Sequence, residues 1–478
     1  MSSSRSKNLI KDVALFAIAS FAPKLLSFFL VPLYTACLST EMYGISDLLV
    51  TLTSLILPIM MLDISDAVML YTIEFQNTEK ENQPLRFGTT ILINSTVILG
   101  VVSSLLFFLL KGFSVKGSYL LYVLLNYFIL ALYNNLLAYL RGKDKVNIIV
   151  ISSIINSIVT LSSNIILIVY LKLGLNGLLI SSILGTLVTN VYIIVKINFF
   201  SLIKETKNPN DIDKKKMLSY SIPLIFTGLA WWVNSSSDRL FITMFANIGI
   251  NGIYAVANKI PTILSACHTI IYQAMQLSVF KEIHSEDKDE YLTRLYNIYS
   301  FGMFTVCSAL IMMDKALARF LFKGEFYIAW KYSPALLISI VFFSIAGYLT
   351  TIYAAEKETK LIAKATVIGA IINSILNIFL IPKFELYGAV IATVIGYFVI
   401  WLIMAVNCKK ITQVKLPLYR SVLCGLILLL QWILLLVFEK SYILQIFLFI
   451  AQLIINFEII KYLIQMLKKL KFNNYWLN

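Results

Sequence analysis

The chain is poor in charge. Of its 478 residues only 14% are Asp, Glu, Lys or Arg, and 59% are hydrophobic. A soluble domain carries roughly 25% charged residues, so a soluble globular protein, a disordered chain and a nucleic-acid-binding protein are all excluded. Histidine is nearly absent, and the two present, His268 and His284, form no metal-ligand pair. The five cysteines (Cys37, Cys267, Cys307, Cys408 and Cys424) are scattered singly, mostly in apolar stretches, with no C-x-x-C spacing. Neither a zinc site nor a disulfide framework is indicated. There is no G-x-x-x-x-G-K-[ST], no H-E-x-x-H and no Ser-His-Asp set, so no nucleotide, metal or other cofactor is expected. A membrane-embedded enzyme would need a sizeable acid-bearing external loop. The longest candidate, about 314–330, holds only Asp314 and Glu325 as acids.

What the chain does have is long apolar runs, with a mean hydropathy of +0.83. A membrane-spanning helix needs ~20 such residues. Fourteen stretches between about residues 13 and 466 qualify, among them 13–36, 46–72, 218–245, 250–280 and 442–466. The stretch 46–72 is interrupted by Asp63 and Asp66. The longest polar gap, about 196–217, reads as a linker. The basic N-terminus and its apolar run resemble a signal peptide. The run continues through Pro23-Lys24 without a short core and clear cleavage site, so a retained first helix is expected.

The net charge of +15 is mostly topology. With the N-terminus placed in the cytoplasm, 28 cations fall in inside segments and 9 in outside loops. This bias predicts that both termini are cytoplasmic. Three cations remain, Lys24, Arg239 and Lys259, all within apolar stretches.

An internal repeat is legible. Ile154-Ile155-Asn156-Ser157-Ile158 recurs as Ile371-Ile372-Asn373-Ser374-Ile375, Gly177…Gly185 as Gly388…Gly396, and Pro23 corresponds to Pro223. These matches map helices 1–6 onto 7–12. Six is even, so both halves enter the membrane in the same sense, related by an axis along its normal. The expected fold is an all-α polytopic membrane protein of about 14 transmembrane helices. Two pseudo-symmetric six-helix lobes would surround a central cavity, with helices 13 and 14 as an added pair. The expected divisions are 1–198 for the first lobe, 199–217 for the linker, 218–408 for the second lobe, and 409–478 for the added helices and tail.

The segments LLSFFLVPLYTACLSTEMYGISDLL, LDISDAVMLY, SYSIPLIFTGLAWWVNSSSDRLFI, GINGIYAVANKI and INSILNIFLIPKFELYGAVIATVIGY occur in this order. The set resembles the Wzx-like polysaccharide-transport flippases of the multidrug/oligosaccharidyl-lipid/polysaccharide exporter superfamily, from Leu25 to about Tyr397. The resemblance rests on Pro32 to Gly44, on Ser237-Asp238-Arg239 with Gly252-Ile253-Tyr254, and on Asn373…Asn377…Leu380-Ile381-Pro382…Gly388-Ala389. It implies a non-enzymatic transporter in the bacterial cytoplasmic membrane. Such a protein moves an undecaprenyl-diphosphate-linked oligosaccharide between leaflets by alternating access, for capsule, O-antigen or related polymers. Membrane lipids, a polysaccharide polymerase and chain-length machinery are the partners it implies. The competing expectation is an ion-coupled small-molecule exporter of the same superfamily.

The candidate substrate-binding residues are Lys24, Asn234, Asp238, Arg239 and Lys259. A charge at bilayer depth costs ~2.5–3.5 kcal/mol on insertion scales, so each should face a cavity or a partner. Lys24 is about twelve residues from either end of its helix, too far for easy snorkelling. It reads as an anion site for the diphosphate or as half of an ion pair. Arg239 offers bidentate geometry for a diphosphate or sugar contact, or makes a structural pair with a neighbouring helix. Lys259 pairs with Asp238 or lines the cavity. Asp63 and Asp66, three apart, could share a helix face and exchange H⁺ or Na⁺, or could cap a break in the helix. Asn156, Asn164, Asn373 and Asn377 read as amides that bridge helices.

Overall fold

The computed structural model describes residues 27–109, 117–206, 210–283, 285–410, 412–438 and 442–474. Among them regular structure is helical, without a strand. In hydrocarbon a helix satisfies its own backbone, which is why such apolar runs take this form. The chain divides into two compact units, Met1–Trp232 and Val233–Asn478.

The first unit holds α1 (Val31–Cys37), α2 (Thr40–Met60), α3 (Ile64–Glu74), α4 (Gln83–Leu109), α5 (Gly117–Gly142), α6 (Val146–Asn164), α7 (Gly174–Lys196) and α8 (Phe199–Glu205). Its core is built from Met61, Ile64, Val68, Leu92, Tyr127, Leu136 and Leu140. Ser39 caps α2 by accepting from the Met42 amide at 3.2 Å, and Glu41 sits in the first turn, both favourable at a helix N-terminus. The outer face of α4 exposes Val97, Ile98, Val101, Leu105 and Phe108. Such a face suits lipid, not water. Hydroxyls within these helices bond back to carbonyls one turn earlier, as Thr53 does to Leu49 at 2.9 Å and Thr189 to Gly185 at 2.7 Å. No donor is thereby presented to hydrocarbon.

α9 (Asp211–Ser236) carries the chain from the first unit into the second. There follow α10 (Asp238–Phe245), α11 (Ile248–Ala257), α12 (Pro261–Glu282), α13 (Lys288–Leu321), α14 (Ser333–Ala355), α15 (Thr359–Phe384), α16 (Leu386–Asn407), α17 (Leu418–Val437), α18 (Tyr442–Ile455) and α19 (Phe457–Asn474). A 3-10 turn, Gly324–Lys331, links α13 to α14. α14 is the central element, with 78% of its apolar window buried against 39% for α15.

Among the described residues eleven helices are long and apolar enough to cross a membrane, or twelve if α18 and the first part of α19 form one span bent by 65°. The expected fourteen is not reached among these residues, and the two shortfalls are the first and seventh stretches. Most of 13–36 lies outside the described residues. The stretch 218–245 is interrupted at Ser237, and the polar run Asn234–Ser237 together with Ser219, Ser221 and Thr227 lowers the hydropathy of α9. Two other stretches read as single spans are broken. The 46–72 stretch breaks at Met61–Asp63, where Pro58 has already removed one helical donor. Leu62 and Asp63 take φ of 51° and 49°. The 250–280 stretch breaks at Asn258–Ile260, and Pro261 restarts the helix. α6 runs on through a π-helical segment, Ile165–Tyr170.

The repeated words have a common packing role. In the first unit, a Cβ on Gly185 would collide with Thr160 Oγ1 and stand 3.0 Å from Asn156 Oδ1. In the second, a Cβ on Gly396 would meet the Asn373 side chain at 3.1 Å. One helix thus lays a glycine on the repeated Asn of its neighbour in each unit. Gly177 and Gly388 repeat the pattern one step earlier, close against the Leu167 and Leu380 carbonyls. The approach at Gly388 is the closest of the four to backbone, since a Cβ there would lie 2.5 Å from the Leu380 carbonyl carbon. Gly388→Ala is expected to lower stability by about 1–3 kcal/mol through overpacking, read as a lower melting temperature of detergent-purified protein. An unchanged melting temperature would mean that α15 and α16 can part freely.

Candidate functional site

The break between α9 and α10 places Asp238 at the first turn of α10, inside the packed second unit. It is 1% exposed. Its carboxylate is held from three other helices. The Tyr254 hydroxyl (α11) donates to Oδ2 at 2.7 Å. The Thr393 hydroxyl (α16) donates to the same oxygen at 2.6 Å. Asn377 Nδ2 (α15) donates to Oδ1 at 2.6 Å and also reaches Asn373 Oδ1 at 3.1 Å. Three donors to one carboxylate are strong hydrogen bonds, and each would be costly to orphan in a buried setting. Among the described residues the buried Asn377 Oδ1 has no hydrogen-bond partner.

Arg239, the next residue, points elsewhere, as adjacent helical positions must. It is half-buried. Its Nη1 donates to the Ser235 carbonyl at 3.1 Å, and its guanidinium lies 5.9 Å from the centre of the Tyr254 ring, within cation–π range. One tyrosine therefore carries the cation on its face and the anion on its hydroxyl. Asn234, one turn earlier, is buried and donates to the Thr366 carbonyl at 3.1 Å, tying α9 to α15. Lys259 stands half-buried in the break between α11 and α12, where its amide meets the Val256 carbonyl at 2.9 Å. Asn258 beside it bonds to the Tyr254 carbonyl at 2.9 Å. Asn234, Asp238 and Arg239 thus border one helix break and Lys259 lies in another, all within one unit. Lys24 lies outside the described residues.

Asp63 and Asp66 are in the first unit. Asp63 occupies the break before α3 in a left-handed conformation and is half-buried, and its side chain makes no capping hydrogen bond. Asp66, in the first turn of α3, is exposed. The two carboxylates accordingly do not stand on one continuous helix. Among the described residues no group of three or more His, Cys, Asp or Glu could hold a metal ion.

One partner of Asp238 carries no mark in the sequence. Asn373 and Asn377, four apart, signal a polar helix face, and Tyr254 stands in the Gly252-Ile253-Tyr254 segment, but Thr393 sits in an apolar run with nothing to distinguish it. The first-unit amides behave differently. Asn156 accepts from Thr160, and Asn164 donates to the Thr160 carbonyl, both within their own helix.

Taken with the membrane-type helices, this arrangement belongs to a multi-pass membrane protein. The family model described as "Polysaccharide biosynthesis protein" matches residues 9–276, and the chain belongs to that family. A curated relative, the "Probable low-salt glycan biosynthesis flippase Agl15" of Haloferax volcanii, is 23% identical over 230 residues. The match covers 44% of this chain, which spans 45% of that protein's length. Among solved structures, "Lipid II flippase MurJ, inward closed conformation" superposes with a TM-score of 0.68 at 17% identity, covering 94% of this chain and 98% of that one. An inward-facing multidrug resistance MATE family transporter of the MOP superfamily gives 0.62 at 13% identity, covering 83% and 98%. A MOP superfamily transporter from Pyrococcus furiosus gives 0.58 at 14%, covering 84% and 95%. The fold is therefore the one these transporters share.

Asp238→Ala is expected to cost about 2–4 kcal/mol of stability, because it strands three buried donors. Tyr254→Phe or Thr393→Val, each removing one donor, should cost about 1–2 kcal/mol. Denaturation of the purified variants in mild detergent checks the order. Equal losses for all three would contradict a carboxylate-centred network.

Proposed function

We propose that this chain is a flippase that carries undecaprenyl-diphosphate-linked oligosaccharide repeat units from the inner to the outer leaflet of a bacterial cytoplasmic membrane. The product would feed a polymer of the capsule or O-antigen type, with the polymerase and chain-length machinery downstream. Both termini lie in the cytoplasm, and the two units exchange access to the two sides. Family membership over residues 9–276 supports the setting.

The observation that carries the reading is the charge balance at the helix breaks. Asp238 is buried and engaged by three neutral donors, so its carboxylate is committed to holding α10, α11, α15 and α16 together. Arg239 and Lys259, only half-buried, place a cation at each of the two helix breaks. A cationic surface suits a diphosphate. A site for drug-like cations would present acids. Lys24 would add a third cation, and Asn234 fixes the end of α9 that leads into the turn before Arg239. The Asp63–Asp66 pair is the proposed exchange point for a coupling H⁺ or Na⁺. The unengaged Asn377 Oδ1 beside Asp238 makes that cluster of oxygens the second candidate.

Arg239→Ala with Lys259→Ala should reduce surface polymer at least tenfold while membrane abundance stays within twofold, measured by immunodetection of polymer and protein in the same cells. Normal polymer in the double variant would remove these residues from the substrate path. Asp63→Asn with Asp66→Asn should abolish the response of transport to a collapsed ion gradient. If Asp238→Asn does so instead, the coupling ion sits in the second unit.

A further inference from the structure

A second constellation lies in the first unit. A cavity of about 530 Å³ is lined by Tyr71 of α3 and by Lys215, Lys216, Ser219 and Tyr220 of α9. Among the described residues neither Lys215 nor Lys216 makes an ion pair; of the two acids near Tyr71, Asp213 pairs with Lys80 at 2.8 Å and Glu74 stands one turn on along α3. Two ammonium groups and three hydroxyls therefore line one recess. Its two lysines belong to the polar segment that the charge bias assigns to the cytoplasmic side.

The chemistry changes along α9 in one direction. Lys215, Ser219, Ile222 and Phe226 are spaced by four, three and four residues and so share one helix face. At the first two positions that face is cationic and hydroxylic. At the next two it is apolar and open, with Ile222 42% and Phe226 73% exposed. A phosphate-bearing headgroup with a hydrocarbon tail has the same polarity order. Beyond the Lys80–Asp213 pair a second cavity, about 770 Å³, is lined by carboxamides, hydroxyls and carboxylates, among them Asn82, Gln83, Ser201, Glu205 and Thr206. These are groups that pair with sugar hydroxyls.

We infer that this face of the first unit is a loading site for an isoprenoid-diphosphate headgroup. Lys215 and Lys216 take the phosphates, Tyr71, Ser219 and Tyr220 donate to their oxygens, and the tail lies along Ile222 and Phe226. This deepens the flippase reading and rests on it for the identity of the natural lipid. The interaction is electrostatic at an interface, where each lysine contributes modestly and additively.

The test uses the full chain in phosphatidylcholine nanodiscs with farnesyl diphosphate as probe, read by calorimetry. Wild type should bind it, farnesol should not bind, and Lys215→Gln with Lys216→Gln should weaken binding about thirty-fold. Lys215→Arg with Lys216→Arg should retain binding and so controls for folding. Phe226→Ser should weaken farnesyl diphosphate binding and leave inorganic pyrophosphate binding unchanged. Equal binding by wild type and the glutamine variant overturns the site. So does full displacement by an equal amount of phosphatidylglycerol, since bulk anionic lipid would then be its occupant. Surface polymer that survives removal of the whole chain from cells would instead defeat the flippase reading and leave the binding result standing.

Discussion

A buried carboxylate is costly unless donors hold it, and four helices of the second unit meet around one that is held, Asp238. Asp238 takes hydrogen bonds from Tyr254, Asn377 and Thr393, so four helices are pinned to one side chain. Without a hydrophobic drive between helices in lipid, such polar contacts and close packing are what hold a bundle together. The same network aims its neighbours. Arg239 is displaced by about 100° from Asp238 along the helix and rests on the ring whose hydroxyl serves the acid. Removing the anion would therefore also loosen the cation.

Close packing supplies the rest. Gly185 against Asn156 and Gly396 against Asn373 are the same device used once in each unit. The shared words of the repeat mark where two helices touch. Their polar chemistry then diverges. Asn156 satisfies Thr160 on its own helix, while Asn373 and its partner Asn377 connect to Asp238. One half keeps the glycine-on-amide contact as packing, and the other extends it into the buried cluster.

Much of this architecture is legible in the order of the amino acids, for physical reasons. Runs of ~20 apolar residues leave few choices besides a membrane helix. The repeat is visible because glycine and asparagine have few substitutes at a tight helix crossing. The residues at depth with charge, Asp238, Arg239 and Lys259, stand out because hydrocarbon penalises them. What stays hidden depends on partners far apart along the chain. Thr393 is 155 residues from Asp238, and nothing local distinguishes it from the apolar positions around it. The break at Met61–Asp63 falls where Asp63 already interrupts its apolar run, whereas the one at Asn258–Ile260 falls inside a stretch read as a single helix. Lys215 and Lys216 read as topology signals, and no local pattern tells that Tyr71 stands beside them.

That the substrate is a lipid carrying a diphosphate is tested most directly by reconstituting the purified chain into sealed vesicles with a polyprenyl-diphosphate-linked disaccharide in the inner leaflet. The arrival of the sugar outside is then followed with an impermeant glycosidase. Cleavage should proceed much faster than in vesicles lacking the protein, and Arg239→Ala with Lys259→Ala should return it to that background. Cleavage no faster than background in wild-type vesicles that do export a small organic cation would contradict a lipid-diphosphate substrate.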